Sequence, residues 1–234
     1  MTEKHLVIFS IDLGGVMEHN QRKPWIGSLA LIDALAEAMP AVTGYGFFGI
    51  ADEWCHKPLF VLPGEMTPGQ VTDFLRDEVK SRYPGGTSRF VQQIHGGANV
   101  FNLCKAGFDK ADVIHLTDWP EPVRDDALRY IRPDGSVRDN ISGYNLTGFE
   151  HMTKPKRLFE DYGVRWHVVP IVQYNRRWRF DRTVWKALEH MATITGGLFA
   201  FDAERDDDWS HFPGLGRRLA ENIQKSKARL FNHR

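Results

Sequence analysis

The chain has 234 residues, 42% hydrophobic and 26% charged, the composition of a globular protein and not of a disordered or fibrous one. Thirty Lys and Arg balance thirty Asp and Glu, so net charge gives no reason to expect a nucleic-acid or membrane partner. Two cysteines, Cys55 and Cys104, are too few for a disulfide framework, and no window approaches the ~18 apolar residues of a membrane span.

The N-terminal stretch lacks the apolar core and small-residue cleavage site of a secretory signal. With the thiols read as reduced, this gives the expectation of a cytoplasmic protein. The first apolar run, His5 to Ile11, reads as a buried parallel strand ending at Asp12, before Gly14-Gly15. Trp25 to Met39 has helical apolar spacing, with Pro24 at its start and Pro40 stopping it. Gly44 to Ala51 reads as a second strand. Lys57 to Leu62 reads as its hairpin partner, and Pro58 puts that strand at an edge.

Thr67-Pro68 opens a helix with Val71, Phe74, Leu75 and Val79 on one face, ended by Pro84-Gly85-Gly86. A short helix over 87–94 breaks at His95-Gly96-Gly97, and another follows over 99–108. Asp112 to Thr117 is a strand stopping at Asp118-Trp119-Pro120. The stretch 121–150 reads as an insertion or long loop. A helix then starts at Leu146 or at Lys156 and runs to Tyr162. Val164 to Val172 is a strand, Arg182 to Thr195 a helix, Leu198 to Asp202 a strand, and 214–230 a C-terminal helix.

Strands alternating with helices imply one domain over 1–234: a three-layer α/β/α fold with a mainly parallel central sheet and one antiparallel edge strand. In such sheets the ligand crevice lies at the carboxyl ends of the strands. Asp12 and Asp118 both follow predicted strands, so both belong to that edge. The plainer account is that each aspartate caps a helix or braces a turn.

Four segments in chain order resemble a von Willebrand factor A domain. They are Asp12-Leu-Gly14-Gly15-Val16 after the first strand, Gly96-Gly97-Ala98-Asn99, Val113-Ile-His-Leu-Thr-Asp118, and the late helix ending in Ala192-Thr-Ile-Thr195-Gly196-Gly197. The resemblance spans roughly residues 5–202 apart from 121–150. It implies a metal-ion-dependent adhesion site, in which hydroxyls and carboxylates hold Mg²⁺, a hard cation that takes oxygen ligands. Here Asp12 and Asp118 match the aspartates, whereas Gly14, Val16 and Ala98 stand where the hydroxyl ligands belong. The expected site is therefore degenerate: no cofactor is required, and Mg²⁺ is held weakly at most.

The implied function is a non-catalytic, protein-binding module or assembly subunit, with an AAA+ ATPase among the partner classes. Its contacts are expected from Gly14, His95, Asn99, Trp119 and Glu121 at the strand ends, together with Arg177 and Trp178. Two other readings stand beside it. Phe9-Ser-Ile-Asp12-Leu-Gly-Gly-Val16 also resembles the first motif of haloacid dehalogenase-type phosphohydrolases, which would make Asp12 a nucleophile. Gly14 replaces the general acid usual two positions on, and the Thr195-Gly196-Gly197 turn has no role in that scheme. The Arg and aromatic residues of 165–182 (Arg165, Trp166, Tyr174, Arg176, Arg177, Trp178, Arg179, Phe180, Arg182) could instead serve a nucleic-acid-associated subunit. Balanced charge favours a protein interface. Gly44-x-Gly46-x-x-Gly49 has the letters of a dinucleotide-binding loop but falls inside a strand. His115 and His167 are expected to be packed, neutral and hydrogen-bonded within strands.

Overall fold

The computed structural model describes residues 5–12, 23–39, 43–50, 59–61, 70, 73, 110–117, 164–171, 185–200 and 211–231. Five strands form one sheet: β1 (His5–Asp12), β2 (Thr43–Ile50), β3 (Leu59–Val61), β4 (Lys110–Thr117) and β5 (Arg165–Pro170), in the order β3-β2-β1-β4-β5. The pairs β1–β2, β1–β4 and β4–β5 are parallel, and β3 runs antiparallel to β2 at the edge. Beyond β5, Phe199 forms a parallel bridge to Val168, so Leu198–Ala200, the described part of the predicted strand 198–202, takes a sixth strand position. The helices are α1 (Lys23–Ala38), α2 (Lys186–Ile194) and α3 (Phe212–Phe231).

The continuous apolar run of β1 is explained by burial on both of its faces. Val7, Phe9 and Ile11 join Ile114, Leu116, Val169 and Ile171 in one cluster with the buried residues of α1 and α3. The alternate positions Leu6 and Ile8 are also fully buried, so a second layer covers the other face. α2 packs against β5 and buries Leu188, Met191 and Ala192 outside the α1–α3 cluster. The observed α/β architecture is the expected one, antiparallel edge included.

α1 and α3 pack against each other over one face of the sheet, and α1 is buried on most of its surface; Leu29, Leu31, Ile32, Ala34, Leu35 and Ala36 are all inside. α3 buries Phe212, Leu215, Leu219, Ala220 and Ile223, a helical stripe, and leaves Arg217, Arg218, Glu221 and Lys225 exposed. Arg217, Arg218 and Lys225 thus lie on a solvated helix face, with Lys225 3.5 Å from Glu221 across one turn. Gln224 of α3 donates to the Ala38 carbonyl at 2.8 Å, satisfying an end-of-helix acceptor of α1.

Two glycines of α3 serve different ends. A Cβ on Gly216 would stand 2.4 Å from the Leu31 carbonyl oxygen, whereas one on Gly214 would meet nothing within 4 Å. Gly216 is therefore what lets the two helix backbones approach. Gly216→Ala is expected to cost roughly 1–3 kcal/mol through forced separation of α1 and α3. Gly214→Ala is expected to stabilise by roughly 0.5–1 kcal/mol through the unfolded chain. Urea midpoints of the two variants check this; equal shifts would contradict the close-approach account.

The boundaries differ little from expectation. α1 begins at Lys23 with Pro24 in its first turn, and α3 begins at Phe212 with Pro213, both using proline where no intrahelical N–H is needed. Gln70 and Asp73 are helical, as expected of the segment after Thr67-Pro68. The expected helices over 87–94, 99–108 and 156–162 and the insertion 121–150 lie outside the described residues.

Candidate functional site

β1 leaves toward β2 on one side, through α1, and the chain later returns as β4 on the other side of β1. The strand order therefore reverses at β1, and the crevice outside the carboxyl ends of β1 and β4 is the sheet's topological switch point. Asp12 is the last residue of β1 and Thr117 the last of β4. Ile11 pairs in register with Leu116, so these two ends are neighbours. Of Asp12 only the backbone position is described. Asp118, Gly14, Val16, His95, Ala98, Asn99, Trp119, Glu121, Arg177 and Trp178 lie outside the described residues.

Behind that edge the two strands carry polar residues within otherwise apolar sequence. Ser10 and His115 are paired in register and fully buried, with Ser10 Oγ 3.2 Å from His115 Nδ1. His115 Nε2 has no hydrogen-bond partner. Burial drives its pKa down to about 3 against the weaker opposing hydrogen bond to Ser10, so the ring is neutral at pH 7. The expectation of a packed, neutral, hydrogen-bonded histidine holds for one nitrogen and fails for the other. Thr117 is buried too, and its carbonyl accepts the Ile171 N–H at 2.7 Å.

A second polar group lies toward the amino ends of the strands, on the face covered by α1 and α3. Asp112, fully buried, accepts from four donor atoms. His5 Nε2 and Arg165 Nη2 (2.8 Å) reach Oδ2; Arg165 Nε (2.8 Å) and His167 Nε2 (2.7 Å) reach Oδ1. The guanidinium fork is bidentate, the strong form of this pair. Burial alone would raise the carboxyl, but the hydrogen bonds from His167 and His5 and the charge of Arg165 outweigh it, and its pKa lies well below the ordinary value. Arg165 also donates to the Ile223 carbonyl of α3 at 3.4 Å. His167 Nδ1 accepts the Leu198 N–H at 3.1 Å, which fixes the proton on Nε2.

This cluster corrects one expectation. Arg165 and Trp166 are 4% and 2% exposed, so neither belongs to an exposed basic-aromatic surface over 165–182. The reason is pairing: a cation on a buried strand is tolerated in the core only beside a carboxylate, and Asp112 is its register partner. Arg176 to Arg182 lie outside the described residues. The chemistry open to the cluster is structural, because its carboxylate oxygens are already filled. Among the described residues no group of three or more His, Cys, Asp or Glu could hold a metal ion.

The late motif is built as a helix stop. The Gly197 N–H donates to the Ala192 carbonyl (2.8 Å) and the Gly196 N–H to that of Thr193 (3.1 Å), a Schellman arrangement with Gly196 at φ 67°. Thr195 Oγ1 accepts the Trp166 N–H at 2.9 Å, so the side chain continues the hydrogen bonding along β5. A Cβ on Gly197 would fall 1.8 Å from the Trp166 carbonyl oxygen, so only glycine fits. The glycines of Gly44-x-Gly46-x-x-Gly49 do lie inside a strand, β2.

No protein-family model and no curated protein matches the chain. Solved structures do. The chain is similar to the PilB minor pilin from Streptococcus sanguinis, at 12% identity and TM-score 0.59, over 97% of this chain and 62% of that one. It is similar to the pilus adhesin SpaC from Lactobacillus rhamnosus GG in its open conformation, at 13% identity and TM-score 0.59, over 94% of this chain and 30% of that one. The human COPII-coat protein Sec24c matches at 13% identity and TM-score 0.52, over 93% of this chain and 32% of that one. The chain thus spans less than two thirds of each of these structures. No helix among the described residues is long and apolar enough to cross a membrane. At such identities the likeness is one of fold, and the fold is α/β.

Proposed function

We propose that the chain is a von Willebrand factor A-like protein-binding module, non-catalytic, that engages its partner through the loops beyond β1 and β4. The observation that carries this reading is the switch point: Asp12 ends β1 directly beside the end of β4, where open α/β sheets bind their ligands. The antiparallel edge strand β3 and the Thr195-Gly196-Gly197 stop support the same reading, since the resemblance implies both and the phosphohydrolase scheme gives the stop no role. The solved neighbours are, by name, a minor pilin, a pilus adhesin and a coat protein, which agrees with a role in adhesion or assembly.

On this proposal the metal is dispensable, because Gly14, Val16 and Ala98 offer no side-chain oxygen. The partner is a protein, with an AAA+ ATPase as one class to try first. A cytoplasmic setting belongs to the proposal as well and rests on the two cysteines.

The test is affinity capture from native extract, with Mg²⁺ and with chelator, using wild type and Asp12→Ala. The expected result is a partner retained under both conditions by the wild type and lost by the variant, whose circular dichroism stays unchanged. A partner lost with chelator would overturn metal independence. Mg²⁺-dependent release of phosphate from p-nitrophenyl phosphate, abolished in Asp12→Asn, would replace the binding-module reading with the phosphohydrolase.

A further inference from the structure

We draw no further inference here: the strongest candidate, the fully buried Ser10–His115 pair on β1 and β4 behind the switch point, whose His115 Nε2 has no hydrogen-bond partner, carries nothing beyond the strand-end site already described, because nothing among the described residues shows which group or ligand that nitrogen would meet.

Discussion

Asp112→Asn is expected to lower the unfolding free energy by roughly 3–5 kcal/mol, the cost of leaving a buried charge without its partner. Asp112 and Arg165 are both inside, and the guanidinium makes two 2.8 Å contacts with the carboxylate. Asparagine keeps the size but offers one acceptor oxygen, and its amide is a donor that faces other donors. The Arg165 charge then stays in the core uncompensated. A loss of this size is a large share of the roughly 5–15 kcal/mol typical of a domain. Urea denaturation measures it. Adding Arg165→Met is expected to recover much of the loss, because the orphaned charge and not the missing contact is the main cost. A single-variant effect below roughly 1 kcal/mol, or no recovery in the double variant, would contradict this account. The pH dependence has a definite sign. A carboxyl held below its ordinary value of 3.8 contributes stability that is fully present above that pH and is lost as pH falls below it.

The layer order could be read before any coordinates because parallel strands buried on both faces must be apolar throughout, as in His5 to Ile11, and because Pro58 confines its strand to an edge. The Asp112 cluster could not be read in the same way. Its members lie at positions 5, 112, 165 and 167, and only the register of three strands brings them together. Taken alone, each looks ordinary: His5 and Asp112 as strand starts, Arg165 as one more cation near Arg176 and Arg177. One signal was present. Arg165 and His167 stand two apart, hence on one face of a strand whose neighbours are apolar, and a charged residue there calls for a buried counter-charge. The strand-end edge was legible for a different reason. It follows from connectivity alone, so Asp12 at the end of β1 was placed without knowledge of any contact.

The two polar groups divide the sheet. At the amino ends four donor atoms fill the Asp112 carboxylate, and the cluster ties β1, β4, β5 and α3 together. The one nearer the carboxyl ends is not saturated, since His115 Nε2 has no partner. Saturated buried networks stabilise, whereas an orphaned buried donor or acceptor costs roughly 1–3 kcal/mol. The unpartnered His115 Nε2 thus lies just behind the switch point, the side on which ligand sites of such sheets are built.

His115 sets the second large effect. The pKa of His115 falls from 6.5 to about 3 by burial, so between those pH values the unfolded chain binds a proton that the native state refuses. Stability from this residue is fully present above pH 6.5 and is lost as pH falls, by roughly 1.4 kcal/mol per pH unit and roughly 4–5 kcal/mol across the window. The window lies above the one in which Asp112 takes up its proton, so the two contributions separate on the pH axis. Ser10→Ala with His115→Leu removes the titrating ring and the hydroxyl it would leave unpaired. The double variant is expected to match or exceed wild-type stability at pH 7.5, and to lose about 1 kcal/mol less than wild type between pH 6.5 and 5.5. Denaturant midpoints at four or five pH values check both statements. Identical pH slopes would mean that His115 takes up its proton in the native state, and a variant much weaker at pH 7.5 would mean that the Ser10–His115 bond outweighs the orphaned Nε2. A stabilised variant that also fails to capture the wild-type partner would tie the cost of the buried pair to the proposed binding edge two residues away, since stability gained at a site and function lost there are the two sides of one exchange.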